Sequence, residues 1–406
     1  MCPRTFEAMH HDAHIALGVG FCSPCLRGVR CMVWAACVMA FTGCGTEVEE
    51  AADAQAGVPS LHGIHHAEFF GFSETGDTLW LQEESGTWNG WVQTGAAGSM
   101  QMLRPQGGNL TALPGDRQPL ATWSTTHAPH ILALGAEDMW RGTGYLDRLD
   151  LDGSGAGNVM DLGGDGGLDE EALVASGARV LTSYPFGDPM QGVHERTGVS
   201  VMALREYEEP DPLGRAEYIK VFGWLTGRGE IADSLFKDIA ARYDSVKTAG
   251  AHAAEIKGRP GVFTGSEQAG MWTAPTGEGL VARLIEDAGG HYLLDAATER
   301  TMGLRREGSN LEMDLEQCAM LAKGAEAWGK VVYAPEGWYL EDVQETLSWL
   351  PLEGKLMFHC NTAEVDYFGA AVLEPDRMLS DLVDILHGTG AEQVEGNYFR
   401  RTLPRP

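Results

Sequence analysis

The chain has 406 residues, 44% of them hydrophobic and 21% charged, which suffices for two ordinary soluble domains with a core each. Its 29 basic and 58 acidic residues leave a net charge of -29, a field that repels phosphate backbones and excludes nucleic acid as the expected partner. Six of the eight cysteines lie at or before Cys44. Only Cys318 and Cys360 remain in the globular part, and whether they pair in an oxidising compartment is open, because sequence does not give their separation.

The N-terminus is an address. A basic stretch with Arg27 and Arg30 precedes the short apolar run Val33–Phe41, and Phe41-Thr42-Gly43-Cys44 closes it with small residues before a cysteine. This is the layout of a secretory signal and is too short for a permanent membrane span. It is similar to a bacterial lipoprotein box, so residues 1–44 are expected to be a signal peptide whose Cys44 carries the lipid, with Met32 a candidate start. A plain signal peptide cut nearby is the other reading. Residues 45–60, acidic and then Ala/Gly-rich, are expected to be a disordered tether. Together these predict a periplasmic or cell-envelope protein held on the membrane by its lipid.

Residues 61–115 alternate in short runs such as Glu68–Phe72, Thr78–Leu81 and Met100–Leu103, predicting a small strand-rich segment. His62, His65 and His66 cluster at its start. They read as a solvated linker rather than a metal site, since no carboxylate or cysteine stands at ligand spacing. From 116 to 229 strands and helices alternate. Strands are predicted at Leu120–Trp123, Val180–Tyr184 and Val199–Leu204. Helices are predicted within Thr126–Gly135, at Glu170–Gly177, and as one element over 213–226. Asp150-Leu151-Asp152-Gly153 opens like a calcium loop, but Asp161 stands where the loop needs glutamate, so a flexible acidic loop is predicted. A long helix over 230–253 follows, with Leu235, Ile239, Tyr243 and Val246 on one face. A second alternation fills 254–406. The fold class is therefore α/β, with two lobes flanking one long helix and a cleft between them. No GxxxxGK[ST], HExxH or GxSxG motif occurs, which counts against the commonest NTPase and hydrolase chemistries.

The stretch Tyr207-Glu208-Glu209-Pro210-Asp211-Pro212-Leu213-Gly214-Arg215-Ala216-Glu217-Tyr218-Ile219-Lys220 resembles the siderophore, haem and cobalamin class of ABC-transporter solute-binding proteins. Thr126-His127-Ala128-Pro129, Pro275–Glu278, Asp287–Gly290, Glu374–Val383 and Ile385–His387 continue the likeness in order, over about 120 to 403. The resemblance implies two α/β lobes bridged by a rigid helix. It also implies a metal chelate (siderophore, haem or corrinoid) bound between the lobes without a cofactor, and delivery of that chelate to an ABC permease. No enzymatic activity is implied, and a monomer is expected. It assigns permease docking to one glutamate per lobe, matching Glu171 and Glu278, with Glu170 a competitor. An exposed carboxylate at a helix start is a rigid anion that arginine can pair bidentately. Candidate ligand contacts, taken from loops after strands, are Thr126, His127, Tyr184, Trp272, Tyr333 and Tyr367, with Trp272 foremost, because aromatic rings offer flat apolar or cation–π contact to a chelate.

Three other readings stand beside it, one of them a sensor or adaptor that works without a transporter. His127, His130 and acidic residues could hold bare Zn²⁺ or Mn²⁺, or the scaffold could carry a chelatase with His127 as its base.

Overall fold

The computed structural model describes residues 59–94, 109–151, 153–184, 190–388 and 396–406. The signal peptide, Cys44, most of the tether, the strand expected at Met100–Leu103 and Asp152 of the acidic loop lie outside these residues.

Four strands, Phe70–Phe72, Thr78–Gln82, Trp88–Thr94 and Leu110–Pro114, form the first sheet. The first three pair antiparallel and the last parallel. A five-stranded parallel sheet follows, in the order Ser200–Ala203, Val180–Ser183, Leu120–Thr122, Trp140–Thr143, Met160–Asp161. All its pairings are parallel. The central strands are buried throughout, as a sheet covered on both faces requires. The second lobe holds another five-stranded sheet, in the order His291–Tyr292, Gly261–Thr264, Ala327–Val332, Leu356–Asn361, Arg400–Arg401. Only its last pairing is antiparallel.

One helix, Gly229–Lys257, links the lobes with 29 residues, a length of about 43 Å at 1.5 Å per residue. It buries Ala232, Phe236, Ile239, Tyr243 and Gly250, at intervals of three, four and seven. The α/β class and its bridging helix thus stand as read from sequence. Two details differ. The helix expected over 213–226 is two helices, Pro212–Glu217 and Ile219–Thr226, meeting at Tyr218. The second lobe also carries an antiparallel sheet of Ser266–Gln268, Met271–Pro275, Asn310–Met313 and Arg305–Glu307. Its first hairpin turns through Ala269 (φ 51°) and Gly270 (φ 82°), both left-handed.

The Tyr207–Lys220 block has a mechanical task. The buried Glu217 carboxylate accepts the backbone N–H groups of His65 (3.0 Å), His66 (2.8 Å) and Ala67 (3.0 Å). Lys220 Nζ sits 2.9 Å from that carboxylate and donates to the Gly63 carbonyl at 2.7 Å. Glu209, also buried, accepts from Glu68 (2.9 Å) and Phe69 (3.2 Å). Residues 63–69 form an irregular strap whose backbone donors have no ladder of their own, and the oxygens of two buried glutamates satisfy them.

Cys318 and Cys360 are both buried and free.

Candidate functional site

In open parallel sheets, side chains for ligands gather beyond the carboxyl ends of the strands. In the first lobe, Leu120–Thr122 leads to Trp123, Trp140–Thr143 to Tyr145, Val180–Ser183 to Tyr184, and Ser200–Ala203 to Glu206. The Trp123 indole N–H donates to the Tyr184 hydroxyl at 3.0 Å, and its ring lies 5.3 Å from that of Tyr145. Trp123 is buried, whereas Tyr145 and Tyr184 are partly exposed. Tyr145 has φ 53°, a left-handed conformation costly for a bulky side chain. The Gly144 before it leaves room for the ring, because a Cβ there would lie 2.6 Å from Trp123. The Arg148 guanidinium stands 4.5 Å over the Tyr145 ring and bonds both Asp165 oxygens at 2.9 Å. Burial pushes the Tyr145 hydroxyl up to about 12, so it stays neutral.

A buried polar cluster also forms at the ends of these strands. The Thr126 hydroxyl donates to Glu206 Oε1 at 2.7 Å, and Ser124 Oγ lies 2.7 Å from Thr126 Oγ1. His127 Nδ1 is 2.9 Å from the Thr182 hydroxyl, and its Nε2 is 3.3 Å from Glu206 Oε1. Burial would raise the Glu206 carboxyl, but the His127 ring and the Thr126 hydroxyl outweigh it and hold it at about 2. His130 is fully buried, stacks on Phe222 at 4.8 Å, and has no partner for either ring nitrogen. Burial holds it at about 3, hence neutral.

In the second lobe Tyr333 follows Ala327–Val332 and is 50% exposed. Its loop is pinned by Asn361, which accepts from the Ala334 N–H at 2.9 Å and donates to the Ala334 carbonyl at 2.7 Å. Tyr367, after the neighbouring strand Leu356–Asn361, packs between Phe368 (5.2 Å) and Phe399 (6.2 Å). Burial pushes its hydroxyl up to about 12. The turn Ala370–Leu373 just beyond packs against helix Ala128–Ala133, so the loops bearing Tyr367 and Thr126 adjoin.

The structure therefore gathers Thr126 and His127 with Glu206, sets Tyr184 with Trp123 and Tyr145, and places Tyr333 and Tyr367 in the segments after two adjacent strands. Trp272 is the exception. It is fully buried, stacked on Phe263 at 5.2 Å, with its N–H given to the Thr264 carbonyl at 3.1 Å and its edge toward Trp349. The antiparallel sheet around Met271–Pro275 carries this ring inward, so it builds core and not cleft. His127 too is fully buried and offers no surface to a bulky guest. Sequence reading missed Trp123, Tyr145 and Glu206. The Gly142-Thr143-Gly144 run ending a strand was the available signal for Tyr145.

Glu171 is exposed in the first turn of helix Glu170–Ser176, whose N-cap is the Asp169 side chain. Its neighbour Glu170 is engaged by Arg196 at 2.7–3.0 Å. Glu278, 66% exposed, accepts from Arg306 Nη1 and Nη2 at 3.0 Å each, and Arg306 also holds Glu299. Surface concavities of about 500 Å³, along Ala241–Val246 and Asp376–Ser380, and about 250 Å³, beside Leu113 and Arg179, lie away from these strand ends. Among the described residues, no group of three His, Cys, Asp or Glu is disposed to hold a metal ion, the cluster at His62, His65 and His66 included. His66 instead pairs with Asp211 at 3.3 Å.

No family model matches the chain. An uncharacterized lipoprotein of Methanocaldococcus jannaschii is 24% identical over 251 residues, which cover 60% of this chain and 56% of that relative's length. A periplasmic binding protein from Veillonella parvula superimposes with a TM-score of 0.54 at 14% identity, covering 78% of this chain and 99% of its own. A periplasmic haem-binding protein from Pseudomonas aeruginosa does so with 0.51 at 17% identity, covering 72% and 99%. At these identities what is shared is architecture, and the chain has the bilobal fold of periplasmic binding proteins.

Proposed function

We propose that this chain is an extracytoplasmic solute-binding lipoprotein that takes up a metal chelate such as a ferric siderophore, haem or corrinoid and delivers it to an ABC permease. The observation that carries the reading is the pair of partly exposed tyrosines at the carboxyl ends of the first-lobe strands, Tyr145 and Tyr184, both backed by the buried Trp123 ring. Half-exposed Tyr333 and Phe368 stand at the corresponding ends in the second lobe. Flat, amphipathic rings suit a broad apolar chelate. Arg148 over Tyr145 adds a cation for an anionic chelate.

Binding is favoured over catalysis because the candidate base His127 is sealed from solvent and engaged by Thr182 and Glu206. Free Zn²⁺ or Mn²⁺ is disfavoured because, among the described residues, no group of three His, Cys, Asp or Glu is disposed to hold a metal ion. Cys44 would carry the anchor, as the lipoprotein relative suggests. Glu171 and Glu278 would dock the permease as exposed anions at helix starts.

The test is calorimetric titration of the purified mature chain with a ferric siderophore, haem and a corrinoid. One of them should bind with 1:1 stoichiometry, and Tyr184→Ala should weaken it. Binding of free Zn²⁺ with no response to any chelate would refute the reading.

A further inference from the structure

The Tyr207–Lys220 block, which carries the family resemblance, also has a structural load. What it holds is the strap. Glu217, Lys220 and Glu209 fix residues 63–69 from one side through six contacts to main-chain groups of Gly63, His65, His66, Ala67, Glu68 and Phe69. From the other side the His66 ring meets Phe236 of the long helix edge-on at 5.9 Å, and Lys220 Nζ lies 4.7 Å over that same Phe236. His66 Nδ1 pairs with Asp211, the side-chain cap of helix Pro212–Glu217. That helix contacts both the long helix and helix Leu280–Asp287 of the second lobe. Its Gly214 is required, because a Cβ would lie 2.9 Å from the His66 carbonyl oxygen. The strap is therefore seated where the lobes join.

We propose that residues 63–69 form a pH-sensitive latch on this junction, fastened at acid pH through the His66–Asp211 pair and the buried Glu209 clasp, and loosened as pH rises through neutrality. The groups facing His66 are Asp211, Glu217 and, from the long helix, Asp244. Those facing Glu209 are Glu68 on the strap and Tyr218 behind it. The hydrogen bond to Asp211 raises the His66 ring above 6.5 despite its burial. Its contribution is present below that value and is lost as pH rises through the raised one. Burial raises the Glu209 carboxyl from 4.5 to about 8 against the pull of the Glu68 and Phe69 N–H groups. An opened, hydrated strap would release that proton, so closing weakens between pH 4.5 and about 8. Both slopes have the same sign. This inference does not depend on the chelate reading.

Hydrogen exchange of the full chain without ligand tests it, with each peptide corrected for intrinsic exchange. The opening constant of the 64–69 segment should rise at least about tenfold between pH 5.5 and 8.5, the effect of one pKa unit. Val180–Ser183 and Leu120–Thr122 should change less. The double variant His66→Gln/Glu209→Gln should lose the slope. Equal strap opening at both pH values, opening only in step with those strands, or an unchanged slope in the double variant would overturn the latch. The wild-type comparison stands even where the variant folds poorly.

Discussion

Thr126 donates its hydroxyl to Glu206 at 2.7 Å across 80 residues of chain, tying the end of the Leu120–Thr122 strand to the turn after Ser200–Ala203. Both residues are buried, so the bond is not diluted by solvent. Because Glu206 titrates at about 2 in the fold and near 4.5 when free, its contribution is whole above pH 4.5 and disappears as pH falls through 2. Glu206→Gln is expected to cost about 3 kcal/mol at pH 7, and to approach wild-type stability near pH 2. Urea melts across pH 2–7 measure this.

His130 should also weaken the fold as pH falls, in a higher window than Glu206. Its ring stays neutral in the fold down to about pH 3, whereas the unfolded chain protonates near 6.5, so stability is lost as pH falls from 6.5 to 3. His130→Phe keeps the stack on Phe222 and removes two buried nitrogens without partners. The variant is expected within about 1 kcal/mol of wild type at pH 8. Its advantage should widen by about 1.4 kcal/mol per pH unit below 6.

Trp272 and Tyr184 should separate stability from binding. Trp272→Ala opens a cavity in the second-lobe core and is expected to cost about 3–5 kcal/mol. Tyr184→Ala, at a partly exposed position, should lower chelate affinity about tenfold or more with a smaller loss of melting temperature. Calorimetry and thermal denaturation of both variants decide between these roles.

The buried thiols should be inert. Burial raises Cys318 well above the ordinary thiol range and pushes Cys360 up to about 12, so neither forms thiolate in the fold. Alkylation followed by peptide mass mapping should find both unmodified in native protein and modified in denaturant, without prior reduction.

The architecture was legible because it depends on period. The buried strands and the stripe of the long helix, of which Ile239 and Tyr243 are buried and Leu235 and Val246 partly so, are local patterns that packing did not overturn. The site was less so. Trp123 and Trp272 both sit at strands of a central or adjoining sheet, and sequence cannot say which ring an antiparallel sheet covers. Tyr145 depends on a left-handed backbone that tyrosine does not signal. Glu206, Glu209 and Glu217 look alike on paper. One holds a strand-end cluster and two hold the strap, and only partners as many as 152 residues away in the chain distinguish them.

The central claim is that a chelate binds at the strand ends of the two lobes. The most direct measurement is a thermal-shift series of the wild-type chain with a ferric siderophore, haem and a corrinoid, each against metal-free ligand. Binding at a hundred times Kd adds about 2.7 kcal/mol, a rise of a few degrees, for the cognate chelate. That rise should disappear in Tyr145→Ala/Tyr184→Ala. No rise with any chelate, or an equal rise in that double variant, would contradict the account.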